Sequence, residues 1–220
     1  MTSRHRHARL LAPVLCALGA AGAHTPGPGA LPPFSWHVSR VTKAMVRSTW
    51  HPGCPVGPTS LRRVSLAYVG FDHRRHLGEI VVNAAVVREV VTVFHRLYAA
   101  RFAIFSLEPE EAFGGSDPRS MAADNSSGFN CRRAVAPGPP EWSAHAYGEA
   151  IDVNPVQNPY LEGGTVQPAA GRAYLDRARR RPGMAVPGGT LVRAFASVGW
   201  SWGGRWSTTP DYQHFSLTGN

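Results

Sequence analysis

Four side chains of types that hold metal ions or move protons fall in two short stretches of this sequence. SAHAYGEAID, residues 143–152, carries His145 and Asp152; DYQHF, residues 211–215, carries Asp211 and His214. An open catalytic zinc site takes three protein ligands from His, Asp or Glu and leaves the fourth position for water. The ion lowers the pKa of that water towards about 7, and a neighbouring carboxylate can then take its proton. The first stretch offers an imidazole and a carboxylate, and the second offers another imidazole and a spare carboxylate. Gly148 permits a turn that lets His145 and Asp152 point to one place, and Ala150 keeps the neighbouring strand position small. A chain with 10 His shows such pairs by chance, however. The same residues read equally well as satisfied histidines and turn aspartates. Spacing permits a site without selecting one.

The elements that must position these residues are legible in the hydrophobic pattern. Residues 24–60 are rich in Pro and Gly and read as a lead segment on the surface of a domain spanning 61–220. In RRVSLAYVG, Val64, Leu66 and Tyr68 alternate with Arg63, Ser65 and Ala67, the pattern of a half-buried strand. FDHRRHLG reads as a turn, with His73 and His76 in solvated loop, and EIVV as a short strand. Asn83 can cap a helix over about 84–100 whose inner face is Val87, Val90, Val91, Phe94, Leu97 and Tyr98. RFAIFSL resumes as a strand, residues 108–142 read as a long loop, and EAIDV is a strand. A second loop, 154–170, leads to a short basic helix near Arg172 to Arg181, whose arginines read as a solvated face. PGG breaks it before a helix over 191–198 with Leu191, Phe195 and Val198 inside. GWSWGGRW to DYQHFSL reads as two strands around a turn. Helices and mostly antiparallel strands in irregular order predict an α+β fold, a mostly antiparallel sheet flanked by helices.

Composition sets the setting. With 220 residues, 43% of them hydrophobic, and six Trp, the chain can bury a core. Its head, TSRHRHAR, is basic; LLAPVLCALGAAGA is a short apolar run ending in small residues. That is the pattern of a secretory signal peptide over residues 1–23, and the run is too short to span a membrane. Cys16 lies inside it. Export then leaves Cys54 and Cys131, an even pair in an oxidising compartment, for which a disulfide is expected. A zinc site at His51 and Cys54 of HPGC is a poor alternative, with no second Cys pair nearby. Export also removes Arg4, Arg6 and Arg9, so the formal charge of +9 becomes 9 − 3 = +6, which suits an anionic surface such as a polyanionic cell wall. Nucleic acid is the generic partner of a basic chain, but the arginines are scattered and no nucleic-acid motif is present.

Taken together, S-x-H-x-x-G-x-A-x-D followed by D-x-x-H-F resembles the zinc D-alanyl-D-alanine carboxypeptidase family that includes the VanY-type enzymes. The resemblance extends to FNCR (Phe129 to Arg132), DVNPVQNPY and the Gly-Trp-x-Trp-Gly-Gly-x-Trp segment. It implies the Hedgehog/DD-peptidase-like fold, with His145, Asp152 and His214 as zinc ligands and Asp211 as general base. Many relatives have Glu at that position, and Asp has a shorter reach. It also implies an arginine for the substrate carboxylate or carbonyl oxygen; Arg132 is the candidate, with Arg133 and Arg119 nearby. Ser143 joins Arg132 on the substrate side as a brace through hydrogen bonds and is not a nucleophile. Trp200, Trp202 and Trp206 are candidates for a substrate wall or for packing, and Tyr147 for an oxyanion contact. The expected protein is a secreted, cell-wall-associated monomer that hydrolyses peptidoglycan stem peptides and is not an integral membrane protein. An L,D-endopeptidase of the same family and a non-catalytic zinc-containing cell-wall binding module are the alternatives.

Overall fold

Nine register pairs join Leu61–Val69 (β2) to Arg75–Asn83 (β3) in an antiparallel hairpin, with Val64 opposite Ile80 and Leu61 opposite Asn83. The computed structural model describes residues 31–135 and 140–219. The expected signal peptide, residues 1–23, lies outside them. The lead segment is more than a surface wrap: Trp36–Arg40 (β1) pairs with β2 as the third strand, in the order β1-β2-β3. The basic stretch read as turn is also shorter than expected, because Arg75 and His76 already lie in β3. His76 stacks on Tyr68, its cross-strand partner, and pairs with Asp72.

Asn83 caps the helical segment as its type predicts: its side chain accepts a hydrogen bond from the Ala85 amide. A single 3-10 turn, Ala84–Val86, then leads into the helix Val87–Ala99 (α1). Its β-branched residues give it little intrinsic propensity, so packing must hold it. Val90, Val93, Phe94 and Leu97 meet Val64, Leu66, Ile80 and Val82 of the sheet in the main core. Val87 and Val91 pack at its margin, and Val93 takes a place that the sequence pattern did not assign to it.

The segment 108–142, expected as loop, holds real structure. After Ser106–Leu107 (β4) come a 3-10 turn at Glu110–Phe113, the helix Asp117–Ala122 (α2) and Asn125–Ser126 (β5), which pairs parallel with β4. The strand expected over RFAIFSL shrinks to β4 and one bridge, Ala103 to Val69. Polar side chains organise this region, which is why hydropathy did not reveal it. Asn125 bonds the Glu108 backbone in both directions and also contacts Ser106 and Ser120.

Beyond Ala144–Tyr147 (α3), the strand Ala150–Asp152 (β6) joins a second antiparallel sheet in the order β6-β10-β9, where β9 is Ser201–Trp202 and β10 is His214–Ser216. Its apolar residues Ile151, Phe215 and Trp202 enter the same core as α1. The helix Thr190–Ala196 (α4) closes that side, with Phe195 stacked on Phe215 at 4.1 Å between ring centroids. The loop expected over 154–170 contains a hairpin, Tyr160–Glu162 (β7) with Thr165–Gln167 (β8). Here too side-chain amides replace strand ladders. Asn154 and Asn158 both donate to the Gly183 carbonyl, and Asn158 accepts from the Ala185 amide.

The expected basic helix near Arg172 to Arg181 is absent; only the 3-10 turn Ala169–Tyr174 forms. Nor do its arginines make a solvated face throughout. Arg177 donates to the Gln157, Tyr174 and Ala185 carbonyls and to Asn158, and its guanidinium stacks over Tyr212. Burial lowers its pKa to about 10. Among the described residues no helix is long and apolar enough to cross a membrane.

One buried carboxylate here carries a pH prediction. Asp124 accepts from the Val156 amide and from Gln157, but burial still raises its pKa to about 6. A carboxyl whose folded pKa lies above its unfolded value binds more protons in the native state, so stability falls as pH rises from about 4 through 6. About two pKa units correspond to about 3 kcal/mol at most. Asp124→Asn removes that loss: in urea titrations, the variant's decline in stability between these pH values should be smaller than the wild type's.

Candidate active site

Each half of the site is built by a short, specific backbone device. Ser143 is the N-cap of α3, its hydroxyl accepting from the His145 amide at 3.3 Å. Gly148 ends the helix in the left-handed region at φ 70°, which turns the chain into β6 within two residues. The turn is seated on the end of β3: the Asn83 amide donates to the Gly148 carbonyl, and the Asn83 side chain donates to the Tyr147 carbonyl. A Cβ at Gly148 would lie 2.6 Å from the Asn83 nitrogen. Gly148→Ala combines a left-handed backbone with that backbone clash and should cost about 2–4 kcal/mol. Thermal denaturation would measure it, and a loss of metal affinity should accompany it, because His145 and Asp152 flank the turn.

The antiparallel pairing of β10 with β6 places His214 directly opposite Asp152. Residues 62 apart in sequence thereby come to share one point, and α3 brings His145 to it. His145 Nε2 lies 3.2 Å from Asp152 Oδ2 and 3.2 Å from His214 Nδ1; His214 Nδ1 lies 3.1 Å from Asp152 Oδ1. All three residues are buried. Ligand atoms held at about 2.0–2.1 Å in a tetrahedron stand roughly 3.3 Å apart, so this donor set fits a zinc-sized ion. The tautomer fits as well. His145 Nδ1 donates to the Gly128 carbonyl at 2.6 Å, which leaves Nε2 as a lone-pair donor.

Gly128 was not singled out by sequence, although it directly precedes FNCR. A Cβ there would lie 2.4 Å from the Val81 carbonyl oxygen, so only glycine lets this strand-like segment approach β3 and aim its carbonyl at His145. Burial works against charge on both His145 and Asp152, and their mutual attraction outweighs it. The His145 pKa is raised, while Asp152, held also by His214, stays well below the ordinary carboxylate range.

A cleft of about 930 Å³ opens at this cluster, and Arg132, Ser143, His145, Asp211 and His214 all line it. Asp211 has a buried oxygen, Oδ1, with no hydrogen-bond partner. Burial, and then the negative charge of Asp152, push its pKa well above the usual carboxylate range. A carboxylate so placed is a competent proton acceptor near neutral pH.

Arg132 donates to Asp117 at 3.0 Å, and its Nε is buried without a partner. Burial disfavours its charge, but Asp117, Asp152, Asp211 and Glu110 more than compensate, so the guanidinium stays ionised. Asp117 had no signal in sequence, because its segment read as loop. Of the neighbouring arginines, Arg133 also lines the cleft, stacked over Trp142 at 3.9 Å, whereas Arg119 is exposed on α2. Of the three tryptophans, Trp200 and Trp202 are in the core, whereas Trp206 lines the cleft with its ring 5.4 Å from His214. Tyr147 also lines the cleft and is 38% exposed.

Cys54 and Cys131 form a disulfide with Cα atoms 5.9 Å apart. The Cys54 sulfur of the HPGC alternative is thereby engaged, and His51 rests beside the bridge, Nε2 3.6 Å from Cys131 Sγ.

No curated protein and no solved structure gives a significant match to the chain. A family model described as D-alanyl-D-alanine carboxypeptidase matches residues 137–217. That segment contains α3, β6 and β10, and with them His145, Asp152, Asp211 and His214. The resemblance read from the motifs is thus supported over the residues that build most of the site: from 137 to 217 this chain is similar to the D-alanyl-D-alanine carboxypeptidase family.

Proposed function

We propose that this chain is an exported, zinc-dependent peptidase that removes the terminal D-alanine from peptidoglycan stem peptides. The observation that carries the reading is the meeting of His145 Nε2, Asp152 and His214 Nδ1 within about hydrogen-bond distance of one another, in a cleft that Asp211, with its unpartnered Oδ1, also lines. His145, Asp152 and His214 would hold the ion. When bound, zinc supplies a Lewis acid that polarises the scissile carbonyl and makes water more acidic. Asp211 accepts the proton of the attacking water and returns it to the leaving amine. Arg132, steadied by Asp117, offers its guanidinium to a substrate oxygen as a charged donor. Ser143 acts through the backbone, fixing the start of α3 and hence the His145 ring.

The test joins metal content to product identity. Purified protein should contain about one zinc per chain, lose hydrolysis on chelation and regain it with zinc. Mass spectrometry of digested muropeptides should show the loss of one terminal D-alanine. A cut further inside the stem would replace this reading with an L,D-endopeptidase. Intact muropeptides with zinc-loaded protein would leave a binding module.

A further inference from the structure

Three buried polar atoms without hydrogen-bond partners belong to residues that line the cleft: Arg132 Nε, Asp211 Oδ1 and the hydroxyl of Tyr160. The first two belong to the roles already described. Tyr160 does not, although it stands in the DVNPVQNPY stretch. Its side chain is nearly all buried, at 4% exposure. The side chains of Glu162 and Thr209 approach it as hydrogen-bonding neighbours, but neither meets the hydroxyl with the distance and angle of a formed hydrogen bond.

The backbone holds Tyr160 against the segment that carries the proposed base. Tyr160 and Asp211 are partners in an isolated antiparallel bridge, and the next residue, Leu161, donates to the Pro210 carbonyl at 2.9 Å. Residues opposite each other in such a pair project their side chains on the same face, within about 4.5–5.5 Å at Cβ. On its other side β7 pairs with β8, Tyr160 opposite Gln167, so the position is held from both edges. A donor hydroxyl on Tyr160 and an acceptor oxygen on Asp211 thus belong to paired residues of the cleft wall, and neither has a formed hydrogen bond. An unsatisfied buried hydroxyl costs stability, by about 1–3 kcal/mol. Phenylalanine would fill the same space without that cost, so packing gives no reason for the hydroxyl.

We propose that Tyr160 is a further catalytic residue, whose hydroxyl donates a hydrogen bond to a backbone oxygen of the bound peptide beside the bond that Asp211 helps to break. The assignment rests on the peptidase reading above. It adds a second donor to Arg132, so the cleft presents two donors and one acceptor. A peptide terminus offers the complement: oxygens that accept and an amide N–H that donates.

Tyr160→Phe tests it, because the two roles of a tyrosine hydroxyl predict opposite stability changes. If the hydroxyl serves the substrate, the variant should melt at the wild-type temperature or above it. Its kcat/KM on an acylated peptide ending in D-alanyl-D-alanine should fall about 10- to 100-fold, the loss of one hydrogen bond to a charged or polarised oxygen. Binding of the same peptide, followed by calorimetry in Asp211→Asn protein with and without Tyr160→Phe, gives a readout free of turnover and should weaken with the hydroxyl removed. Unchanged kcat/KM and unchanged binding would overturn the assignment. So would an activity loss that merely follows a lower melting temperature, which would make the hydroxyl structural. Failure of the wild type to cleave any muropeptide overturns the peptidase reading instead, and the two failures are told apart by the wild-type assay alone.

Discussion

Asp211→Asn should lower kcat by about 10²- to 10⁴-fold, the range in which general acid–base groups contribute, with zinc content unchanged. Asp152 contacts both histidines through its carboxylate oxygens, whereas Asp211 Oδ1 has no hydrogen-bond partner. Removing it should therefore leave the proposed ligand set intact. The sign of the stability change is also set. A carboxyl whose folded pKa is raised above its unfolded value loses native stability as pH rises through that interval. Burial and the Asp152 charge raise Asp211. The neutral amide removes that penalty, so the variant should be no less stable than wild type at neutral pH. Three measurements check this: single-turnover hydrolysis, bound zinc and thermal midpoint. Wild-type kcat in a correctly folded, zinc-loaded variant would remove Asp211 from the mechanism.

Loss of the disulfide should have the largest effect on stability. Cys54 and Cys131 are 77 residues apart, and closing a loop of that length is worth about 4–5 kcal/mol in the chain-entropy model. For a domain of this size that amounts to a fall of about 10–20 °C in Tm, which scanning calorimetry of Cys54→Ser/Cys131→Ser protein would read. Function should suffer as well, for a local reason. Cys131 directly precedes Arg132, and its amide donates to the Thr49 carbonyl, so the bridge and that hydrogen bond together fasten the arginine's segment to residues 46–54. Phe129 and Cys131 pack with Val41, Val46, Leu61 and Val81 in a small separate core there. Without the covalent tie, KM should rise even at temperatures where the double variant remains folded.

The members of the cluster were visible from residue types because its two motifs are local, although only the family resemblance selected them as a site. An imidazole and a carboxylate around Gly148, and another pair in DYQHF, are visible without knowing where the chain goes. The helix α1 and the hairpin strands were legible for a similar reason: apolar periodicity is a direct record of which face is buried. The segments that were misjudged have no such record. β4, α2, β5 and the β7–β8 hairpin are organised by Asn125, Asn154 and Asn158, whose side chains bond backbone groups far away in sequence. Polar residues of this kind look like loop in any local reading. β1 escaped for another reason: none of its five residues is buried and their exposure does not alternate, so only the partner strand makes them a strand.

By itself, then, the sequence determined the inventory of this protein: two histidines and two aspartates at spacings suited to an ion and a base, a pair of cysteines outside the apolar head, and the strands and helix that bury a core. Tertiary structure decided which groups meet. Antiparallel pairing of β6 with β10 put Asp152 opposite His214. The close approach at Gly128 oriented His145, and Asp117 paired with Arg132 at the cleft. The bridge between Tyr160 and Asp211 set opposite each other two cleft-lining residues whose hydroxyl and Oδ1 have no formed hydrogen bond. The physical reason is common to all of these. Residue type and local period are properties of neighbours in the chain, whereas convergence of donors and the satisfaction of buried polar groups depend on segments that only folding brings together.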